Sequence, residues 1–203
     1  MILLPEIIAS SKSGAELFHV DQTPLKFSLK EFWRWSASDL MSNATRGVLA
    51  EFLVARAIGV NPDEVRHEWD AYDLTSPSGI KIEVKSSAYI QSWYQENFSE
   101  ITFSIKPARA WDSETNKLSE NAGRHADVYV FALLAHQDQD TIDPMDVSQW
   151  EFYTVPTSDL NTRKRNQHSI TLGPLKLLAG ETLSYHDLAA AVELAGQQNG
   201  KPN

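Results

Sequence analysis

Two hydrophobic periods alternate along this chain, and each change of period marks an element. Apolar residues recur at helical spacing from about Ala44 to Ile58, with Met41, Ala44, Val48, Phe52 and Ala55 predicted as the core-facing stripe. Gly59 and Pro62 stop that helix. Before it, Ser28 and Glu31 make a capping-box pattern that opens a short aromatic helix through Phe32, Trp33 and Trp35. Strand signals follow. "EWDAYDL" and "IKIEVKSSA" flank the turn sequence "TSPSG", and "ITFSI" (101–105) alternates with period two. "VYVFALLA" (128–135) is apolar on both faces, as the centre of a sheet requires, and "WEFYTV" (150–155) and a weaker "SITL" (169–172) read as further strands. Ser184 to Gly196 reads as a capped helix burying Leu188, Val192 and Ala195. Helix, strands and helix again predict an α/β (α+β) architecture, a central mixed β-sheet flanked by helices. One domain is expected over residues 1–196, with its core at about 40–160 and a disordered tail at 197–203.

The turn sets the register. Proline suits the first position of a type I turn and glycine the left-handed position after it, so Pro77-Ser78-Gly79 is predicted to pair Ser76 with Ile80, Leu74 with Ile82 and Asp73 with Glu83. Tyr72, Leu74, Ile80, Ile82 and Val84 would then share one face, and Asp73, Lys81, Glu83 and Lys85 the other. That register sets two carboxylates opposite each other, an arrangement that destabilises a sheet unless a cation compensates. A divalent metal ion or the neighbouring lysines could do so. The helix adds a third carboxylate, Glu51, which edges an apolar stripe among small residues. A carboxylate there needs a partner: Arg46 and Arg56 lie well around the helix, and a functional site is the other reading.

Composition narrows the function. The 203 residues carry a formal charge of −9, which argues against coating nucleic acid by bulk electrostatics and leaves room for an enzyme with a local basic surface. "TRKRNQH" supplies Arg163, Lys164, Arg165 and His168 as either such a surface or a solvated loop. The absence of cysteine rules out disulfides and thiolate metal sites and suggests a reducing cytoplasm. The apolar start lacks a basic flank and no apolar run is long enough to span a bilayer, so no membrane partner is expected. "SAYIQSWYQENF" sets Tyr89, Trp93, Tyr94 and Phe98 after the charged strand, either as packing or as surfaces for bases.

A helix bearing Glu51, then Asp73, then Glu83-Val-Lys85 on the second strand of a hairpin resembles the PD-(D/E)xK nuclease superfamily. The resemblance covers about residues 40–90. A D/E-x-K triplet alone arises by chance roughly once in a chain of this composition, so the weight rests on its place in the hairpin. Tyr72 stands where the motif has proline, Gln91 is followed four positions on by Gln95 and so lacks the Gln-x-x-x-Tyr motif of one branch, and Asp70 competes with Asp73. The resemblance implies a restriction endonuclease-like core and Mg²⁺-dependent hydrolysis of DNA, of restriction or repair type, with Mn²⁺ able to substitute. Asp73, Glu83, Glu51 and the Val84 carbonyl would hold metal, and Lys85 would act on the attacking water or the phosphorane. Ser86 and Ser87 would contact phosphate, and a homodimer is expected. A catalytically silent nuclease-fold protein that binds nucleic acid or a partner is the alternative, and a carboxylate pair of glycosidase type a third reading.

Overall fold

The computed structural model describes residues 7–66, 70–112, 116–163 and 167–199. In chain order, β1 (Leu17–Val20) and β2 (Thr23–Ser28) form a hairpin, followed by α1 (Leu29–Ala37) and α2 (Asn43–Ala57). Next come β3 (Leu74–Thr75), β4 (Lys81–Ala88), β5 (Thr102–Ser104), β6 (Trp111–Asp112), β7 (Lys117–Leu118) and β8 (Val128–Leu134). The chain continues through β9 (Trp150–Pro156), α3 (Thr157–Arg163), β10 (Ser169–Thr171), α4 (Leu172–Ala179) and α5 (Leu188–Gln198).

The central sheet has the order β3-β4-β8-β9. Its outer pairs are antiparallel and β4–β8 is parallel, so it is mixed, as the pattern of strands and helices predicts. β8 is buried along its whole length, and the alternation of the strands divides the core in two. Ile82, Val84, Val128, Val130 and Phe152 pack with α2 and α5 on one side. Tyr129, Phe131, Tyr153 and Val155 pack on the other with Phe103 of β5, Ile170 of β10, Leu160 of α3 and Leu175 of α4.

α1 opens on the predicted capping box, Ser28 and Glu31 each holding the other's backbone. α2 stops where expected, with Gly59 in the left-handed region at φ +78°. Its orientation differs from the prediction: Ala50, Leu53 and Val54 face the sheet, while Val48 and Phe52 are 47% and 58% exposed. α2 thus carries two apolar stripes, and periodicity could not tell which one the sheet would cover. The expected strand over 68–74 is reduced to Leu74–Thr75 among the described residues; Glu68 and Trp69 lie outside them. Of the expected tail, the first residues are ordered: α5 runs to Gln198 and Asn199 is tied at both ends of its amide, accepting from Ser158 N–H at 3.0 Å and donating to Asp127 at 3.2 Å, while 200–203 lie outside the described residues.

Gly196 lets α5 approach the hairpin: a Cβ there would lie 2.5 Å from Ile80 Cδ1 and 2.9 Å from Cγ1. Gly196→Ala should gain about 1 kcal/mol in helix propensity and lose about 1–3 kcal/mol to overpacking. A net loss in stability is the expected result of a urea titration; a gain would mean Ile80 swings aside freely.

Candidate active site

The site grows from the hairpin. Ser76 N–H donates to the Ile80 carbonyl at 2.9 Å, Gly79 N–H to the Ser76 carbonyl at 2.9 Å, and Gly79 takes φ +91°, so the turn has its predicted form. Leu74 pairs with Ile82 and Thr75 with Lys81, again as predicted. The third pair does not form. Asp73 N–H donates to the Ile82 carbonyl at 2.9 Å, leaving Asp73 and Leu74 together opposite Ile82 in the manner of a bulge. The extra residue reverses the alternation beyond it. Tyr72 therefore packs in the second core, with Lys81 Nζ 5.2 Å from its ring centre, and not beside Leu74 and Ile82 as the register predicts.

The bulge places the Asp73 carboxylate at the edge of the sheet, in its plane, where Oδ2 accepts the Val84 N–H at 2.7 Å. Within a strand the N–H and C=O of one residue leave on the same side, so the Val84 carbonyl is directed to this edge as well. From there Asp73 feels groups on both sides of the sheet. Burial, then the charge of Glu83 and, more weakly, that of Glu51, push its carboxyl up to about 6, against the Val84 hydrogen bond and the Lys85 charge that lower it. Glu51 reaches this edge from α2; Glu83 and Lys85 reach it from the opposite face of β4. The structure thus gathers Asp73, Glu83, Lys85 and Glu51, with Asp73 as the hinge between faces.

Each remaining carboxylate has its own cation. Lys85 Nζ lies 2.5 Å from Glu83 Oε1. Glu51 is gripped by Arg66, through Nε to Oε2 and through NH2 to Oε1 at 3.2 Å. Arg66 comes from the segment after the helix, so neither Arg46 nor Arg56 is the partner. Among the described residues, no three acidic or histidine side chains form a closed cage for an ion.

β4 pairs with β8 without interruption, so its alternation extends to Ala88. Ser87 shares the Glu83–Lys85 face and is buried, while Ser86 shares the Val84 face, toward α2. The two serines expected as phosphate contacts therefore lie on opposite faces of β4. Arg163, in the last turn of α3, donates to the Pro174 carbonyl at 3.0 Å; Lys164 and Arg165 lie outside the described residues. Gln91 and Gln95 are structural, bonding each other, Ser99 and the carbonyls around them. Trp93 and Tyr94 are exposed.

Tyr129 is the residue that sequence reasoning missed. The parallel register sets it beside Glu83. Burial, then Glu83 and Asp73, push its phenol well up, and Arg124 opposes them. Arg124 is itself anchored to the carbonyls of Ile105 and Gln167 and to Asn161. A tyrosine hydroxyl amid the otherwise apolar run "VYVFALLA" was the available signal, and only the β4–β8 register gives it meaning.

A family model described as bacteriophage T4 endonuclease IV matches residues 19–172, a span that includes all four gathered groups. Comparison with curated proteins gives no match.

Proposed function

This chain belongs to the bacteriophage T4 endonuclease IV family, and from that premise we propose that it is a divalent-metal-dependent endonuclease hydrolysing DNA phosphodiester bonds through a PD-(D/E)xK-type site. The observation that carries this reading is the in-plane Asp73 carboxylate, around which Glu83 and Glu51 raise proton affinity from opposite faces of one sheet. Three carboxylates stand against Lys85 and Arg66, an excess of negative charge that a cation would relieve.

The donor set fits a hard cation. Asp73, Glu83 and the Val84 carbonyl would offer oxygen alone, which suits Mg²⁺ or Mn²⁺ with several waters retained. Such an ion supplies Lewis acidity toward phosphate oxygens and an acidified water. The chain's own groups do the rest. Glu51, pivoting on Arg66, would orient water at the entrance of the α2 side. Lys85, beside Glu83, would donate to a non-bridging phosphate oxygen and stabilise the charge that grows there as one phosphorus–oxygen bond forms and another breaks. Tyr129 stands beside Glu83, and Arg124 stands behind Tyr129.

One observation favours a catalytically silent nucleic-acid-binding protein: Glu83 and Glu51 are already neutralised, by Lys85 and Arg66. Incubation with closed circular DNA separates the two. Nicking is expected with Mg²⁺ or Mn²⁺ and none with EDTA. DNA bound but left intact under every divalent ion would select the silent reading.

A further inference from the structure

We propose that residues 7–40 form an arm through which two copies of this chain associate, arm against arm, an inference that stands apart from the nuclease reading. The arm holds β1, β2 and α1, and Gly14 is its only buried residue. None of its side chains enters either core, and among the described residues its hydrogen bonds reach no further along the chain than Ser42. Its own joints are nonetheless well made. Glu16 accepts from the Ser13 and Gly14 N–H groups at 3.0 and 2.8 Å. Leu29 N–H donates to the Glu16 carbonyl and Lys30 N–H to the Gly14 carbonyl, each at 2.9 Å. Gly14, at φ +87°, sits so close to the Trp33 ring that a Cβ would meet it at 2.8 Å.

A two-stranded hairpin and a nine-residue helix are each marginal alone in water. Yet nine of the eighteen large apolar side chains that stand exposed among the described residues fall within 7–35. Phe18 and Phe27 share one face of the hairpin, their ring centres 5.0 Å apart, and the strand register adds Val20 to it. On α1, helical spacing sets Leu29, Phe32, Trp33 and Trp35 on one side and Lys30, Glu31 and Arg34 on the other. The five aromatic rings, from 38% to 85% exposed, offer roughly 500 Å² of apolar surface. That is a large share of the roughly 800 Å² that a stable interface buries on each partner. Charge then chooses the partner. The arm carries four cations, Lys12, Lys26, Lys30 and Arg34, and four acids, Glu16, Asp21, Glu31 and Asp39, so the net charge of −9 lies wholly outside it. Nucleic acid would call for a net positive surface. A neutral apolar arm can meet its own copy about a twofold axis, whereas the acidic bodies behind it repel each other.

Sedimentation equilibrium over a concentration series tests the contact. The wild type should approach twice the chain mass of 22.8 kDa. Trp35→Glu should raise the dimer dissociation constant about thirtyfold or more, with its circular dichroism unchanged, because Trp35 supports neither core. Added salt should tighten the dimer by screening the acidic bodies, whereas a DNA contact through the same cations would weaken. The chain has no cysteine, so single ones can be introduced without background. A short bismaleimide should join two copies of Ser36→Cys, in α1, and not of Leu177→Cys, at a side chain 88% exposed in α4. A wild type that stays monomeric at every concentration would overturn the contact. So would a dimer that Trp35→Glu leaves intact, or one that cross-links through Leu177→Cys and not through Ser36→Cys. A monomer whose Trp35→Glu variant loses DNA binding would give the arm to nucleic acid and overturn it as well.

Discussion

Lys85→Ala is expected to abolish DNA cleavage while divalent-metal binding survives, and Glu83→Ala to lose both. The two side chains touch, with Nζ 2.5 Å from Oε1, yet the proposed roles differ. Glu83 offers oxygen to a cation, and Lys85 offers a positive charge to the phosphate. Loss of a well-placed charged donor typically lowers turnover by about 10²–10³-fold. Loss of a nearby ammonium should also tighten the binding of a cation, since like charges no longer repel. If the pair only neutralised itself on a strand face, either change would cost about 1 kcal/mol or less and would leave metal affinity untouched. Titration calorimetry with Mn²⁺, run beside a nicking assay on both variants, separates the cases. A wild-type protein that takes up no divalent ion would end the metal-dependent reading.

Asp73→Asn should stabilise the metal-free protein while removing metal binding and cleavage. The carboxyl is held up to about 6, against an ordinary value of 3.8, chiefly by burial and by Glu83. A raised carboxyl binds its proton more tightly in the folded state, so this group contributes stability below about pH 4. That contribution is lost as pH rises through 6. At neutral pH the ionised group costs the fold up to about 3 kcal/mol. Asparagine keeps an oxygen for the Val84 N–H and carries no charge, so most of that cost should disappear. Thermal melts in EDTA at pH 5 and pH 7.5 provide the measurement. The wild type should be more stable at pH 5 as far as this group is concerned, and the variant should gain more at pH 7.5 than at pH 5. Saturating Mg²⁺ should reverse the order, because only the wild type binds it. A variant less stable than wild type at pH 7.5 in EDTA would mean the Asp73 charge is compensated within the fold. Cleavage should fall below pH 6, as the proton competes with metal for the carboxylate.

Some elements were legible because their signals are local. The capping box of α1, the stop of α2 at Gly59, the turn at Pro77-Ser78-Gly79 and the buried strand at Val128–Leu134 depend on residues within a few positions of one another. The triplet Glu83-Val84-Lys85 was legible for the same reason: a strand period of two sets Glu83 and Lys85 on one face without knowledge of the fold. The sequence also contained the cue for the bulge, in the polar Asp73 between Tyr72 and Leu74, yet nothing local decides whether a residue joins the ladder or interrupts it.

Tertiary structure decided the rest. Which apolar stripe of α2 meets the sheet was settled by the residues it packs against, since both stripes have helical period and it is Ala50, Leu53 and Val54 that pack with Ile82 and Val84. The partner of Glu51 came from Arg66, fifteen residues on, through a fold of the chain that no helix periodicity encodes. Tyr129 joined Glu83 because β4 and β8 are parallel, a pairing that needs a long crossover and leaves no mark on either strand alone. The sequence by itself determined which residues could carry charge to one strand face. The three-dimensional pairing of distant segments decided that Asp73 would sit in the sheet plane, because only there does an interrupted ladder leave a backbone N–H for its carboxylate to take.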